Sequence, residues 1–184
     1  MLLLINNISS YLDDLKECLN KTGAKYNIQK YDELNGHSIS NYKGIILSGR
    51  TNSVKEMNVS NMQTIRTAYK EDRPLLGICY GAEIMALAFN GSLQRLNERI
   101  VGDNAVTVKE NNLLTNRKSL NVFESHGYHI ARLPHELTCV ADSINCKYEI
   151  IAHANKHMFG TQFHPELSRD GMEILNNFIR LTKS

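Results

Sequence analysis

A glycine-flanked cysteine between a strand pattern and a helix pattern constrains this chain most strongly. The run Pro74-Leu-Leu-Gly-Ile-Cys79-Tyr-Gly81 places Cys79 directly after an apolar stretch, and a helix-like segment follows over residues 82–89. The small residues Gly77 and Gly81 permit a tight strand-to-helix turn with a strained backbone at the cysteine. Hydrolases with a nucleophile elbow share this layout. The N-terminal N–H groups of the following helix would favour a thiolate, so the segment predicts Cys79 as a nucleophile.

Apolar segments alternate with helical patterns along the N-terminal half of the chain. Strand patterns lie at residues 2–5, 26–31, 44–48 and 74–78. Helical patterns lie at residues 12–19, where Ser9 or Ser10 is the predicted cap and Gly23 the stop, and at residues 61–69 and 82–89. This alternation predicts an open α/β sheet with a parallel core flanked by helices. Ligands of such sheets gather at the carboxyl ends of the strands, where Cys79 and Ser48-Gly49-Arg50 both lie.

The segments after Gly91 are short and alternate between apolar and polar residues. Four of them lie at residues 106–108, 120–123, 149–152 and 158–163. The last two flank Asn155-Lys156, a hairpin-like turn, and predict antiparallel strands added to the sheet. Ser168 is placed to cap a final amphipathic helix. We therefore expect one domain over residues 1–184, with a mixed sheet.

Composition excludes several classes of function. The formal net charge is +2, which gives no reason to expect a nucleic-acid partner, and no apolar run is long enough to span a membrane. The four cysteines form no Cys-x-x-Cys pair, which suggests reduced thiols and a cytoplasmic location. The histidine pairs His126/His129 and His153/His157 lack clustered partner ligands, so we expect no metal site. No phosphate-binding glycine motif is present, and we expect no cofactor.

A thiol needs a base, and the base needs an orienting partner. His164 and Glu166 suit these two roles in the tripeptide His164-Pro165-Glu166. Pro165 disfavours helical backbone at His164, so an extended tripeptide is predicted. Residues two apart in an extended chain point to the same side, so Glu166 would hold one imidazole nitrogen while the other faces Cys79.

Four blocks together resemble the class I, triad-type glutamine amidotransferases. They are Ile45-Ile-Leu-Ser-Gly49, Gly77-Ile-Cys-Tyr-Gly81, Ser125-His-Gly127 and Gly160-Thr-Gln-Phe-His-Pro-Glu166. The resemblance covers nearly the whole chain and implies a flavodoxin-like amidotransferase domain. Tyr80 and Ser125-His126-Gly127 are most similar to the glutaminases of GMP synthases.

The resemblance implies that Cys79 attacks the side-chain amide of L-glutamine and that His164 and Glu166 complete the triad. The backbone N–H groups of Tyr80, Gly49 and Arg50 would hold the oxyanion. Substrate binding would fall to five residues, Glu83, Ser125, His126, Gly127 and Tyr128. An ammonia-accepting synthetase subunit is the implied partner, such as the ATP-pyrophosphatase subunit of GMP synthase.

Three residues depart from the family pattern: Glu83 stands where Gln is usual, Arg50 where Gly is usual, and Tyr128 where Asp follows Ser-His-Gly. Two alternatives therefore stay open beside the GMP-type glutaminase. The chain could serve anthranilate, aminodeoxychorismate or histidine biosynthesis, or it could be a catalytically impaired glutamine-binding regulatory module. A cysteine hydrolase of a related fold is a further alternative.

Overall fold

A computed structural model describes residues 1–34 and 39–183 of this chain. Within these residues the elements run, in chain order, β1 Leu2–Asn6, α1 Leu12–Lys21, β2 Tyr26–Lys30, β3 Gly44–Leu47, α2 Lys55–Lys70, β4 Leu75–Ile78, α3 Tyr80–Ala88, β5 Ser92–Val108, β6 Ser119–Arg132, β7 Leu137–Asp142, β8 Ile150–His153, β9 Met158–Thr161 and α4 Arg169–Leu181. The predicted α/β class with a parallel core is confirmed.

The strands form one nine-stranded mixed sheet in the order β2-β1-β3-β4-β9-β8-β7-β5-β6 among the described residues. The first five strands in this order pair in parallel, and the remaining pairs are antiparallel. The central strands are buried on both faces, which explains their continuous apolar sequences. Both faces of the parallel half carry core clusters formed with the helices.

The antiparallel half of the sheet curls back over the parallel half. Strand β6 is last in the sheet order, yet Phe123 in β6 forms an isolated antiparallel bridge with His164, which follows β9. The His164 N–H donates to the Phe123 carbonyl at 2.9 Å. The curl therefore brings β6 to the carboxyl end of the parallel core, where Cys79 lies.

Several boundaries differ from the sequence prediction. Helix α2 begins at Lys55, not at residue 61, and α3 begins at Tyr80, directly after the cysteine. Neither Ser9 nor Ser10 is the cap of α1, because Tyr11 takes that position and Ser9 Oγ accepts a hydrogen bond from its N–H. The patterns at residues 106–108 and 120–123 are parts of two long strands, β5 and β6.

Other local predictions are confirmed. Ser168 caps α4 through its Oγ, which accepts from the N–H of Gly171 at 3.1 Å. The turn at Asn155-Lys156 joins the antiparallel strands β8 and β9. All four cysteines are free thiols, while the cytoplasmic location stays a prediction. No described helix is both long enough and apolar enough to cross a membrane.

Candidate active site

Cys79 occupies a strained turn between β4 and α3. Its backbone angles are φ 50° and ψ −102°, a combination that side-chain-bearing residues rarely adopt. The Cys79 N–H donates to the Thr161 carbonyl at 2.7 Å, which ties the turn to the end of the neighbouring strand β9. The predicted elbow is thus present, with the sulfur at the carboxyl edge of the parallel core.

Close backbone contact explains the flanking glycines. A Cβ at Gly77 would overlap the Gly81 carbonyl and come within 2.7 Å of the Ala82 nitrogen. A Cβ at Gly81 would come within 2.7 Å of the Leu47 carbonyl oxygen. Glycine at both positions therefore allows α3 to start directly against β3 and β4.

His164 and Glu166 form a buried pair at the end of β9. His164 Nδ1 lies 2.9 Å from Glu166 Oε1, and the two residues are 3% and 7% exposed. The predicted extended tripeptide is wrong, because Pro165–Leu167 forms a 3₁₀ turn while His164 alone is extended. The turn still folds the carboxylate back onto the imidazole, so the pairing arises from local curvature.

The other side of the His164 ring lies against Gly49. A Cβ at Gly49 would come within 2.9 Å of His164 Cε1 and 3.7 Å of Nε2. Tyr11 packs edge-on against the same ring, with centroids 4.6 Å apart, and its hydroxyl donates to Ser125 Oγ at 3.1 Å. The imidazole is therefore held on three sides, by Glu166, Gly49 and Tyr11.

A cavity of about 390 Å³ opens beside Cys79. Eight of the residues predicted for the site line it: Arg50, Cys79, Tyr80, Glu83, Ser125, His126, Gly127 and Tyr128. Gly49, His164 and Glu166 lie outside this lining. A larger cavity of about 580 Å³ lies between the end of β2 and α2, and its lining contains none of the predicted catalytic residues.

Glu83 is 4% exposed and faces Gln162, whose Nε2 donates to Glu83 Oε1 at 3.2 Å. Burial raises the pKa of Glu83, and the Gln162 hydrogen bond and the Arg50 charge oppose this shift only in part. Gln162 Nε2 also lies 4.0 Å from the Cys79 sulfur. The carboxyl group is thus placed inside the cavity, close to the thiol.

Burial raises the pKa of the Cys79 thiol well above its usual range, and the charge of Glu83 raises it further. A hydrogen bond from the Tyr80 backbone acts in the opposite direction. Tyr80 is the first residue of α3, so its N–H lies at the N-terminus of this helix next to Cys79, where an oxyanion-hole donor is expected. The raised pKa favours the neutral thiol over the thiolate, so a base is needed to remove its proton when it reacts.

Arg50 packs against the residue that follows the nucleophile candidate. Its guanidinium carbon lies 4.1 Å from the centroid of the Tyr80 ring, and Nη1 donates to Asn58 Oδ1 at 3.1 Å. The Tyr80 hydroxyl donates to the same Asn58 oxygen at 2.9 Å. The side chain thus forms one wall of the cavity.

Sequence reasoning missed several residues of the site. Tyr11 and Gln162 contact His164 and Cys79 respectively, and Arg99 reaches Ser125 Oγ at 3.2 Å from strand β5. Gln162 lies two residues before His164 in the same sequence block, and this proximity could have indicated that it belongs to the site. Tyr11 and Arg99 carry no motif and reach the site only through the tertiary fold. The described residues contain no group of three or more His, Cys, Asp or Glu side chains that could hold a metal ion.

Comparison with known proteins identifies the family of this chain. The glutamine amidotransferase class-I family matches residues 3–181. The chain belongs to this family. Its strained cysteine and its buried His–Glu pair are therefore features of an amidotransferase domain.

Similar proteins point to the GMP-synthase branch of the amidotransferases. The GMP synthase [glutamine-hydrolyzing] of Macrococcus caseolyticus is 36% identical over 160 residues, which are 82% of this chain and 31% of that protein. The corresponding enzyme of Staphylococcus saprophyticus is 34% identical over the same shares. This chain thus spans less than a third of the length of the curated relatives it matches.

Solved structures agree with this placement. A putative GMP synthase subunit protein from Thermoplasma acidophilum superposes with a TM-score of 0.84 at 25% identity, over 99% of this chain and 93% of that one. A glutamine amidotransferase from Thermotoga maritima gives a TM-score of 0.82 over 100% and 98% of the two chains. Its identity is 19%, so this second likeness concerns the fold alone.

Proposed function

We propose that this chain hydrolyses L-glutamine to glutamate and ammonia through Cys79, His164 and Glu166. The observation that carries the proposal is a strained cysteine and a buried His–Glu pair at the carboxyl ends of the neighbouring strands β4 and β9. The Cys79 sulfur attacks the side-chain amide carbon while His164 takes the thiol proton. His164 returns that proton to the leaving ammonia, and water then cleaves the γ-glutamyl thioester to give glutamate and the free thiol.

The cavity supplies the groups that such a substrate needs. The Tyr80 N–H, with an N–H from Gly49 or Arg50, holds the oxyanion. Glu83 accepts a hydrogen bond from the substrate ammonium, and the Ser125-His126-Gly127-Tyr128 segment forms the facing wall. Arg95 and Arg99 also line the cavity, where they attract the substrate carboxylate.

The ammonia passes to a synthetase partner, such as an ATP-pyrophosphatase subunit of GMP synthase. The support is that the similar GMP synthases extend well beyond the matched region. We expect slow glutamine hydrolysis by the chain alone and faster turnover when a partner with its acceptor substrate is added. Full turnover without any partner would contradict this coupling.

The raised pKa of the Cys79 thiol favours a second candidate, a glutamine-binding module with little turnover. Glu83 contributes to that raised pKa and replaces the Gln that is usual in the family. The active glutaminase and the binding module therefore differ in how strongly this carboxylate suppresses formation of the Cys79 thiolate. Glutamine binding without glutamate release, in the presence of the partner, would favour the module.

The first test is a glutamate-release assay on the wild type and on Cys79→Ser. The hydroxyl is a far weaker nucleophile with a base tuned for a thiol, so we expect a loss of at least about 10³-fold. Cys139→Ser is the matched control, since Cys139 lies in β7 away from the cavity, and should keep full activity. A glutamine-like diazo-ketone should add one label, at Cys79. Labelling at another cysteine would overturn the proposal.

His164 and Glu166 should contribute unequally. His164→Ala removes the base and the acid together, whereas Glu166→Ala removes only orientation and charge support. We expect the kcat of Glu166→Ala to lie between those of the wild type and His164→Ala. Equal losses would show that Glu166 takes a direct part in the chemistry.

A further inference from the structure

Three ionisable side chains are buried at the wall of the cavity and take no part in the chemical steps above. Glu124 and His126 belong to β6, and Glu149 directly precedes β8. Their exposed fractions are 0%, 3% and 0%. Burial of an unpaired charge is strongly unfavourable. The protonation states of these three groups should therefore leave the cluster with no uncompensated charge.

The three side chains form a continuous chain of contacts. His126 Nδ1 lies 2.7 Å from the Tyr128 carbonyl oxygen, and Nε2 lies 3.1 Å from Glu124 Oε2. The carboxyl group of Glu149 lies next to that of Glu124, since an oxygen of each is within hydrogen-bond distance of Asn104 Nδ2. This series of side-chain contacts therefore runs from the cavity wall into the interior of the antiparallel half of the sheet.

Neutral donors complete the cluster. Asn104 Nδ2 in β5 donates to Glu124 Oε1 at 3.3 Å and to Glu149 Oε1 at 3.4 Å. Ser143 Oγ donates to Glu149 Oε1 at 2.6 Å. These contacts fix both carboxyl groups between β5, β6 and the loop before β8.

Geometry and burial together assign three protons to the cluster. A carbonyl oxygen only accepts, so His126 Nδ1 carries a proton. A second proton on Nε2 pairs the imidazolium with the Glu124 carboxylate 3.1 Å away, and a third on Glu149 removes the charge that would otherwise be buried without a partner. With two protons on the imidazole, one on Glu149 and none on Glu124, the cluster has no net charge. A neutral cluster is the arrangement that burial favours.

We propose that Glu149, Glu124 and His126 form a three-proton chain that positions the His126 ring and the backbone of residues 125–128 at the cavity. Glu124 and Glu149 are positioning residues, and their effect on glutamine rests on the proposed function. This cluster is connected to the Cys79 thiol along two routes. The Ser125 carbonyl oxygen lies 3.9 Å from the Cys79 sulfur. The backbone N–H of Gln162 donates to the backbone carbonyl of Glu149 at 2.8 Å, and the side-chain Nε2 of Gln162 lies 4.0 Å from the same sulfur.

The electrostatics of the cluster agree with this assignment. Burial and the charge of Glu124 raise the pKa of Glu149 to about 9. Burial also acts to raise the pKa of Glu124, but hydrogen bonds from His126 and Glu149 outweigh it and lower that pKa. Asp142 and Cys146 are the other titratable groups that face Glu149, and neither enters the proton chain.

The direct test is nitrogen-15 NMR of the His126 ring in the full-length protein, with the signals assigned by loss in His126→Gln. In the wild type at neutral pH, we expect both ring nitrogens to show protonated shifts. In Glu124→Gln the amide donates to Nε2, so that nitrogen should move to an unprotonated shift. In Glu149→Gln the neutral amide replaces a neutral acid and leaves the charge balance unchanged, so both nitrogens should stay protonated. Glu110→Gln, on an exposed side chain, is the control.

Kinetics supply the second readout. Glu124→Gln should raise the KM for glutamine about tenfold, the usual effect of losing a hydrogen bond to a charged group, with a smaller change in kcat. The wild-type KM should rise relative to that of Glu149→Gln above about pH 9, where Glu149 loses its proton in the wild type. Titration of the substrate itself affects both KM values equally, so it cancels in the ratio of the wild-type KM to that of Glu149→Gln.

An unprotonated ring nitrogen in the wild type would overturn the proposal, even if both variants failed to fold. Unchanged ring shifts in Glu124→Gln would also overturn it. A wild type with no glutaminase activity would instead count against the proposed function. The NMR result would still decide the proton chain in that case, so the two failures are distinguishable.

Discussion

At the scale of single residues, the surroundings of Cys79 oppose its ionisation. Burial and the Glu83 carboxylate raise the pKa of the thiol, while the backbone N–H of Tyr80 stabilises negative charge on the sulfur. Under the proposed function, glutamine binding would change this balance, because the substrate ammonium would pair with Glu83. The carboxylate at position 83 would then couple the reactivity of the thiol to occupation of the pocket.

Replacement of this carboxylate by its amide tests the coupling. Glu83→Gln removes a negative charge beside Cys79, so it should lower the thiol pKa and speed alkylation of Cys79 by iodoacetamide about three- to tenfold at pH 8. The gain should be smaller at pH 6, because the raised pKa of Glu83 leaves more of this carboxyl protonated there. Peptide mass spectrometry measures the rate at Cys79 against that at Cys139. A slower or unchanged rate at Cys79 would contradict the assigned effect of Glu83.

At the scale of elements, the β4–α3 elbow depends on Gly77. A methyl group there meets the backbone of Gly81 and Ala82, which cannot move without shifting α3. Gly77→Ala should therefore lower the free energy of unfolding by about 1–3 kcal/mol, the usual cost of overpacking a tight contact. Urea unfolding measures this change.

The matched control for this substitution is Gly127→Ala. A Cβ at Gly127 would lie 3.3 Å from Arg99 Cγ, part of a flexible side chain that is able to move aside. We expect a change in unfolding free energy below about 0.5 kcal/mol for this control. A loss in Gly77→Ala as small as that of the control would show that the elbow tolerates a larger residue than its geometry suggests.

Elements with a strong local signal were predictable from the sequence. The parallel strands are apolar throughout because helices cover both faces, and the elbow glycines mark a close backbone contact at Cys79. The His164–Glu166 pair was predicted correctly as a pair but by the wrong geometry. A 3₁₀ turn after Pro165, rather than an extended chain, brings the carboxylate to the ring.

Features that depend on tertiary contacts were not predictable. Strands β5 and β6 are much longer than their apolar patterns, because they pair mainly with each other and expose many positions. Glu124 looks like a surface residue in an alternating strand, yet the curl of the sheet buries it completely. The contact between Tyr11 and His164 likewise arises because α1 packs against the 3₁₀ turn that follows His164, and it has no local signature.

At the scale of the whole molecule, the curled sheet joins two halves with different chemistry. The parallel half contributes Cys79 and His164, and the antiparallel half contributes the facing wall through Ser125, His126 and the bridge at Phe123. The carboxyl groups of Glu124 and Glu149 are completely buried in the antiparallel half, against Asn104 of β5. The protonation of this pair should therefore affect the stability of the folded chain as well as its pocket.

Glu149→Gln should reduce the decrease in the free energy of unfolding that ionisation of Glu149 causes as the pH rises. The pKa of Glu149 is raised from an ordinary value of 4.5 to about 9 in the folded protein. Between these values the unfolded chain releases this proton while the folded chain keeps it, so the free energy of unfolding decreases with rising pH, by up to about 1.4 kcal/mol per unit. Glutamine has no proton to lose, so the stability of Glu149→Gln relative to the wild type should increase steadily from about pH 5 to pH 9 and then level off. Urea unfolding at several pH values measures this difference, and contributions of other groups such as Glu83 cancel because both proteins contain them. Glu110→Gln should show no such trend, and a pH-independent difference for Glu149→Gln would mean that Glu149 is ionised in the folded protein.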